Sequence, residues 1–204
     1  MNFIILGDKF QKRMKSKGCV GLIKIKNKPI IDHQYSIIKK FFPSAKIIYV
    51  AGFEYKKISS FLDKNDNYKD IILLNNKNYE KYNNVHSLSL AENYLDDECF
   101  IMFGDKILTK PILKKFDTNN GCQIFIDNSK KESLGCIIQK SIIETISYDI
   151  NNYLLDMYYI SAPCAKKIKS LIQTQKYNNF FIFEIINKLI NSNTIFKPFY
   201  VGES

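Results

Sequence analysis

Arginine occurs once in this 204-residue chain, against 29 lysines, and it stands at position 13. From Lys9 to Ile31 the chain carries eight cations and no acid: Lys9, Lys12, Arg13, Lys15, Lys17, Lys24, Lys26 and Lys28. A planar guanidinium binds two phosphate oxygens at once, which the point charge of a lysine does not reproduce. The plain alternative is chance placement on a solvated basic face. The chemical reading is an anion, a nucleotide phosphate foremost, docking near the N-terminus. A second candidate is Asp105, which follows Gly104 at the end of the apolar run CFIMF. A carboxylate there can hold Mg²⁺ against phosphate oxygens, or it can be a turn aspartate. Asn83, Asn84 and Ser87 open a helical stretch, where they either contact a ligand or cap the helix. The two histidines, His33 and His86, complete no Ser/His/Asp or Cys/His arrangement. His33 falls inside a helical stretch and reads as structural, and His86 lies near the Asn83–Ser87 candidates. Cys19, Cys99, Cys122, Cys136 and Cys164 form no Cys-x-x-Cys pair, so we expect reduced, core-packed thiols and no zinc site.

These residues need elements to carry them. Asn2–Leu6, Lys46–Val50, Asp70–Leu74 and Cys99–Phe103 are short apolar runs and read as buried strands. Gly21–Ile25 reads as a further short strand, with a turn at Asn27–Pro29. Helical spacing is expected over 30–42, 54–62 and 85–95, the last with Asn84 as N-cap. Strands alternating with helices predict a mostly parallel sheet covered on both faces. The second half differs. A short helix at 111–116 precedes strand candidates at 123–127, 135–139, 142–146 and 154–160. Two helices at about 162–173 and 180–190 follow, with a last strand at 194–201. The expected class is α/β, a three-layer α/β/α arrangement around a mixed, mostly parallel sheet. We expect a single domain, with residues 1–106 binding nucleotide and 107–204 binding acceptor.

Composition adds bounds. The formal charge is +10, and 81 of the 204 residues are Lys, Ile or Asn, a bias that AT-rich codons produce unaided. The asymmetry is more telling. Residues 1–60 hold 13 basic and 3 acidic side chains, whereas residues 61–204 hold 17 of each. No apolar run nears the roughly 18 residues of a membrane span, and the start of the chain lacks signal-peptide character, so a cytoplasmic protein is expected. Only Phe10 interleaves an aromatic ring with the basic stretch, which disfavours nucleic acid as partner.

The order of several motifs then resembles a family. ILGDKFQKRMKSKGCVGLIKIKNKPIIDHQ is similar to the opening of the nucleotidyltransferases that make sugar- and choline-nucleotides. Arg13-Met14, Leu22, Lys28-Pro29-Ile30-Ile31 and His33-Gln34 match that pattern without a gap. KYNNVHSLSLAENYL resembles a segment of the phosphocholine cytidylyltransferase branch. FIMFGDKIL resembles the strand whose Asp holds Mg²⁺, and two later segments match more loosely. The resemblance implies a nucleotide-diphospho-sugar transferase-like, Rossmann-like fold. It implies a Mg²⁺-dependent enzyme that moves NMP from an NTP, CTP in preference, onto a phosphocholine-like or sugar phosphate. Such work serves polysaccharide or lipid head-group synthesis, and a homodimer is compatible with it. Arg13, Lys17 and Asp105 would be catalytic, with Asp105 on the metal. Gly7, Asp8, Lys9, Arg13, Lys15, Lys24, Asn83, Asn84 and Ser87 would bind nucleotide.

The departures define the rival reading. The family's Gly-rich loop becomes Gly7-Asp8-Lys9-Phe10-Gln11, and Asp8 is expected to face the triphosphate or a metal. Val20 stands where the family has a phosphate-binding lysine, for which Lys15, Lys17 or Lys24 would substitute. The family's second metal carboxylate follows its last strand, where only Glu203 or another chain could supply it. These changes suit a catalytically impaired binding or regulatory relative. A small glycosyltransferase would want Asp-x-Asp where the chain has Gly104-Asp105-Lys106.

Overall fold

The computed structural model describes residues 1–9, 16–129 and 133–201. At its centre is β1 (Asn2–Leu6), every residue of which is buried. The β1 strand pairs in parallel with β4 (Lys46–Ala51) on one side and β6 (Cys99–Phe103) on the other. Outside β4 lies β5 (Ile71–Asn75), again parallel. Outside β6 lies β10 (Leu154–Ile160), which runs antiparallel to both β6 and β7 (Gln123–Ile126). The far edge is β11 (Lys197–Tyr200), parallel to β7. The seven-stranded order is therefore β11-β7-β10-β6-β1-β4-β5, mixed by one reversed strand. It draws strands from both halves of the sequence.

Strand alternation divides the core into two layers. Phe3 and Ile5 of β1 face α1 (Ile30–Phe41) and α2 (Tyr55–Asp63) through Ile31, Ile38, Ile58 and Leu62. Ile4 and Leu6 face the other side, with α3 (Asn84–Ser89), α5 (Ala162–Ile172) and α6 (Ile182–Asn191). The short α4 (Lys110–Lys115) sends Leu113 into the first layer. A separate hairpin, β8 (Leu134–Gln139) with β9 (Ile142–Tyr148), packs Cys136, Ile143 and Ile146 into the second. This is the expected three-layer α/β/α arrangement. All five cysteines are free thiols and buried. Among the described residues no helix is long and apolar enough to cross a membrane.

Two expected elements take another form. Residues 20–25 are a 3₁₀ turn at Val20–Leu22 followed by β2 (Lys24–Ile25), which pairs with β3 (Lys28–Pro29). The turn between them is Lys26-Asn27, both in the left-handed region, which makes a tight hairpin where a longer strand was expected. The expected helix 85–95 ends at Ser89, and a 3₁₀ turn at Glu92–Tyr94 completes the segment. There the Tyr94 carbonyl accepts from Asn2 Nδ2 at 2.8 Å. Asn83, rather than Asn84, takes the N-cap position.

Candidate active site

Because β1, β4, β5 and β6 are parallel, Gly7–Lys9, Gly52, Asn76 and Gly104–Asp105 all leave the same edge of the sheet. The chain proceeds outward from β1 to β4 and β5, then returns to β6 on the opposite side. Ligand crevices of open α/β sheets form at such a reversal. A cavity of about 190 Å³ lies there, lined by Leu6, Lys9, Val20, Phe103, Gly104, Asp105 and Asp156. A second, of about 230 Å³, shares Phe103 and Asp156 and adds Asn84, Tyr148, Tyr158, Phe181 and Phe183 to its wall.

The floor of the crevice requires bare backbone. A Cβ on Gly104 would lie 2.7 Å from Gly7 Cα, so the loops after β1 and β6 touch backbone to backbone. A Cβ on Gly7 or Gly21 would lie 2.1 or 2.4 Å from Tyr49 Oη. That hydroxyl is fully buried beneath both glycines and has no hydrogen-bond partner among the described residues. Burial pushes the phenol well above its ordinary range, so it stays neutral.

Asp105 is held from below. Gln34 on α1 is wholly buried, and its Nε2 donates to the carbonyls of Gly104 (3.1 Å) and Lys106 (2.8 Å). One amide thus grips the chain on both sides of Asp105, across about 70 residues of sequence. Gln34 belongs to the His-Gln pair that carried part of the resemblance, yet its type alone announced no role. His33 bonds the Ile25 carbonyl at 2.9 Å and is structural, as expected.

Asp156 escaped sequence reasoning entirely, since it sits inside an apolar strand. It has φ +52°, at an irregularity in the β10–β7 register. Because β10 is reversed, its beginning rather than its end meets the crevice. Tyr158 Oη donates to Asp156 Oδ1 at 3.3 Å. Around the second cavity, Tyr148 and Phe183 meet edge-on at 5.6 Å, and Phe181 stacks on Phe183 at 5.9 Å.

The nucleotide candidates are distributed unevenly. Arg13 and Lys15 lie outside the described residues, as does Glu203. Lys17 and Lys24 are exposed and line neither cavity, whereas Val20 lines the first. Asp8 does not face that cavity. It shares the parity of Ile4 and Leu6, and its carboxylate turns toward α3. There Ser87 Oγ and Asn76 Nδ2 donate to Asp8 Oδ2 at 2.8 and 2.9 Å. Lys9 Nζ donates to the carbonyls of Tyr79 and Tyr82. Burial pushes the Asp8 carboxyl up and the Lys9 ammonium down. Asn83 Nδ2 donates to Asn179 O at 2.7 Å, and Asn84 Oδ1 accepts from Ile182 N at 2.8 Å. Asn83, Asn84 and Ser87 therefore clip the α3 segment to α6 and to the β1 loop.

Among the described residues no three His, Cys, Asp or Glu side chains come together as a metal cage. Asp105 and Asp156 do line one cavity. Hard carboxylate oxygens fit Mg²⁺, which takes one or two of them and otherwise keeps waters and phosphate oxygens.

No family model matches the chain. It is similar to the bifunctional protein GlmU of Methanococcus vannielii, with 27% identity over 179 residues. That match takes in 84% of this chain but 38% of GlmU, so the chain spans well under half of that relative. Among solved structures, the CTP:phosphocholine cytidylyltransferase LicC of Streptococcus pneumoniae matches with TM-score 0.81 and 18% identity, over 99% of this chain and 90% of that one. The inositol-1-phosphate CTP transferase of T. maritima matches with TM-score 0.76 and 17% identity, over 98% and 84%. The chain thus has the nucleotide-diphospho-sugar transferase fold, and the resemblance to nucleotidyltransferases holds at the level of structure.

Proposed function

We propose that this chain is a nucleotidyltransferase, moving NMP, CMP in preference, from an NTP to a phosphorylated small molecule with release of pyrophosphate. The observation that carries the reading is Asp105, gripped by Gln34 and lining a crevice floored by Gly7 and Gly104 at the sheet's reversal. An acceptor phosphate attacks the α-phosphorus and pyrophosphate leaves, with no covalent enzyme intermediate. The protein's work is positioning and charge neutralisation. Arg13 and neighbouring lysines hold the β- and γ-phosphates. Asp105 would hold Mg²⁺, which when bound offsets charge on the phosphate oxygens. Gly7 and Gly104 leave backbone rather than side chains at the floor, which lets the phosphates lie close.

The second cavity is the acceptor side. Tyr148, Tyr158, Phe181 and Phe183 offer ring faces, and Asp156 offers a negative charge at the boundary with the first cavity. Aromatic faces with a carboxylate suit a cationic head group better than a sugar. This favours a phosphocholine-like acceptor. Cytoplasmic residence fits such substrates.

A second reading has its own observations. Val20 lines the cavity in place of a lysine, and the Lys9 amine is engaged with backbone carbonyls. A catalytically impaired relative would retain nucleotide binding without turnover. Thermal shift with CTP, UTP, GTP, ATP and dTTP, with and without Mg²⁺, tests binding, and pyrophosphate release tests turnover. A ligand at about 100 times its Kd adds roughly 2.7 kcal/mol. The expected result is a Mg²⁺-dependent rise of Tm by about 5–10 °C with CTP, lost in Arg13→Ala. Pyrophosphate release with phosphocholine is expected too. Binding without release selects the impaired relative, and no shift with any nucleotide refutes both.

A further inference from the structure

We infer that Asp8 reads the nucleobase: its buried Oδ1, with Nδ1 of His86, accepts the two hydrogens of an exocyclic amino group, so that cytosine is chosen over uracil. This rests on the nucleotidyl-transfer reading and adds the residue that sets its base.

The argument begins with an imbalance. Asp8 is 1% exposed. Its Oδ2 is doubly satisfied, by Ser87 Oγ and Asn76 Nδ2, while its Oδ1 has no partner among the described residues. A buried carboxylate oxygen without a donor is costly, and the cost is recovered when a donor or a proton arrives. Lys9 is the adjacent cation, but its Nζ donates to the Tyr79 and Tyr82 carbonyls instead.

A second orphan acceptor stands one residue from Ser87, the partner of Asp8. His86 precedes Ser87 on α3, and its Nδ1 is buried without a partner among the described residues. Burial pushes the imidazole below its ordinary range, so the ring is neutral at pH 7. The Asn178 side chain favours the protonated ring, as an acceptor of a ring N–H does. With that N–H on Nε2, the tautomer the proposal requires, Nδ1 carries a lone pair. The charge of Asp8 acts on this same ring, and the Tyr82 ring lies 4.7 Å from it. The β1 loop and the segment 76–86 thus hold two buried acceptors and an aromatic ring. An amino group with two hydrogens complements them. The carbonyl that uracil carries at the same position would meet a carboxylate lone pair. A base enters as Lys9 releases the two tyrosine carbonyls, with its triphosphate directed over Gly7 toward Asp105.

CTP and UTP differ at that one position and in the adjoining ring proton, so they are the probes. With Mg²⁺, calorimetric binding to the wild-type chain is expected to favour CTP by at least about tenfold. In Asp8→Asn an oxygen remains for Ser87 and Asn76 and an NH₂ turns toward the base. The ratio should fall to parity or pass to UTP. His86→Ala should lower it in the same direction while leaving Asp8 bonded to Ser87. Each variant's thermal transition is recorded first. Equal wild-type affinity for CTP and UTP overturns the inference while leaving nucleotidyl transfer standing, and it needs no variant to fold. An unchanged ratio in both folded variants overturns it too. Failure of the wild type to bind either nucleotide refutes the transferase reading beneath it.

Discussion

Replacing Tyr49 by Phe should stabilise this protein. The hydroxyl is wholly buried between Gly7 and Gly21 and makes no hydrogen bond among the described residues. Leaving a buried hydroxyl unsatisfied costs about 1–3 kcal/mol. Deleting the oxygen removes that cost and leaves a void of roughly 10–15 Å³, about the size of one probe sphere. At about 24 cal/mol per Å³ the void costs only about 0.3 kcal/mol. The net gain is thus about 0.7–2.7 kcal/mol, or roughly 1–11 °C in Tm for a chain of this size. Scanning calorimetry and urea unfolding of both proteins, without ligand, measure it. The aromatic ring stays, so the m-value should not change. A fall in Tm of more than about 2 °C would refute the reasoning, because it would mean that the hydroxyl has a partner whose loss outweighs its desolvation. The companion substitution Gly7→Ala sets a Cβ 2.1 Å from the same oxygen and should destabilise by about 1–3 kcal/mol.

Asp105→Asn should lower pyrophosphate release by at least about 100-fold with Tm within about 2 °C of wild type, since it removes charge and not volume. Gln34→Leu removes both bonds that flank Asp105; we expect a fall in kcat together with about 1–3 kcal/mol of stability, read by steady-state kinetics and urea unfolding. Tyr148→Ala and Phe181→Ala, at 51% and 39% exposed positions, should raise the acceptor KM about five- to tenfold and leave CTP binding unchanged. A pH effect follows from Asp8. Its folded carboxyl titrates above its ordinary 3.8, so its contribution to stability is fully present below that value and is lost as pH rises through the folded pKa. The Tm of Asp8→Asn minus that of wild type should therefore grow from pH 4 to pH 7, and a constant difference would contradict the burial argument.

The strands were legible where burial acts on both faces. Asn2–Leu6, Cys99–Phe103 and Leu154–Ile160 are bounded to the residue by their apolar runs, as is the Gly104-Asp105 that ends the second of them. Parallel order followed from alternation with helices. What stayed hidden depended on direction or on long-range partners. Asp156 becomes part of the crevice only because β10 runs backward and bulges, neither of which its neighbours LL and MYYI announce. Gln34 acts on carbonyls about 70 residues away. Asp8 was expected to face the triphosphate. Strand parity carries it to the opposite layer, where Ser87 and Asn76 wait. The helical spacing of 85–95 outruns the α-helix, because the spacing continues while the backbone hydrogen bonds tighten after Ser89.

The reversed strand β10 also separates two kinds of heritable change. Its return path leaves at Ile160, on the far side of the sheet from the crevice, and leads directly to α5. Its approach comes through the β8–β9 hairpin, which lies off the main sheet and carries Leu134 and Tyr148 to the aromatic cavity. Lengthening, shortening or exchanging that hairpin would alter the far wall without touching the ladder between β1, β4, β5 and β6. Hairpin exchange would thus change the wall of that cavity while the edge that carries Gly7, Gly104 and Asp105 stays as it is. A directed library there would spare Gly135 and the buried Cys136, Ile143 and Ile146, which hold the hairpin to the core.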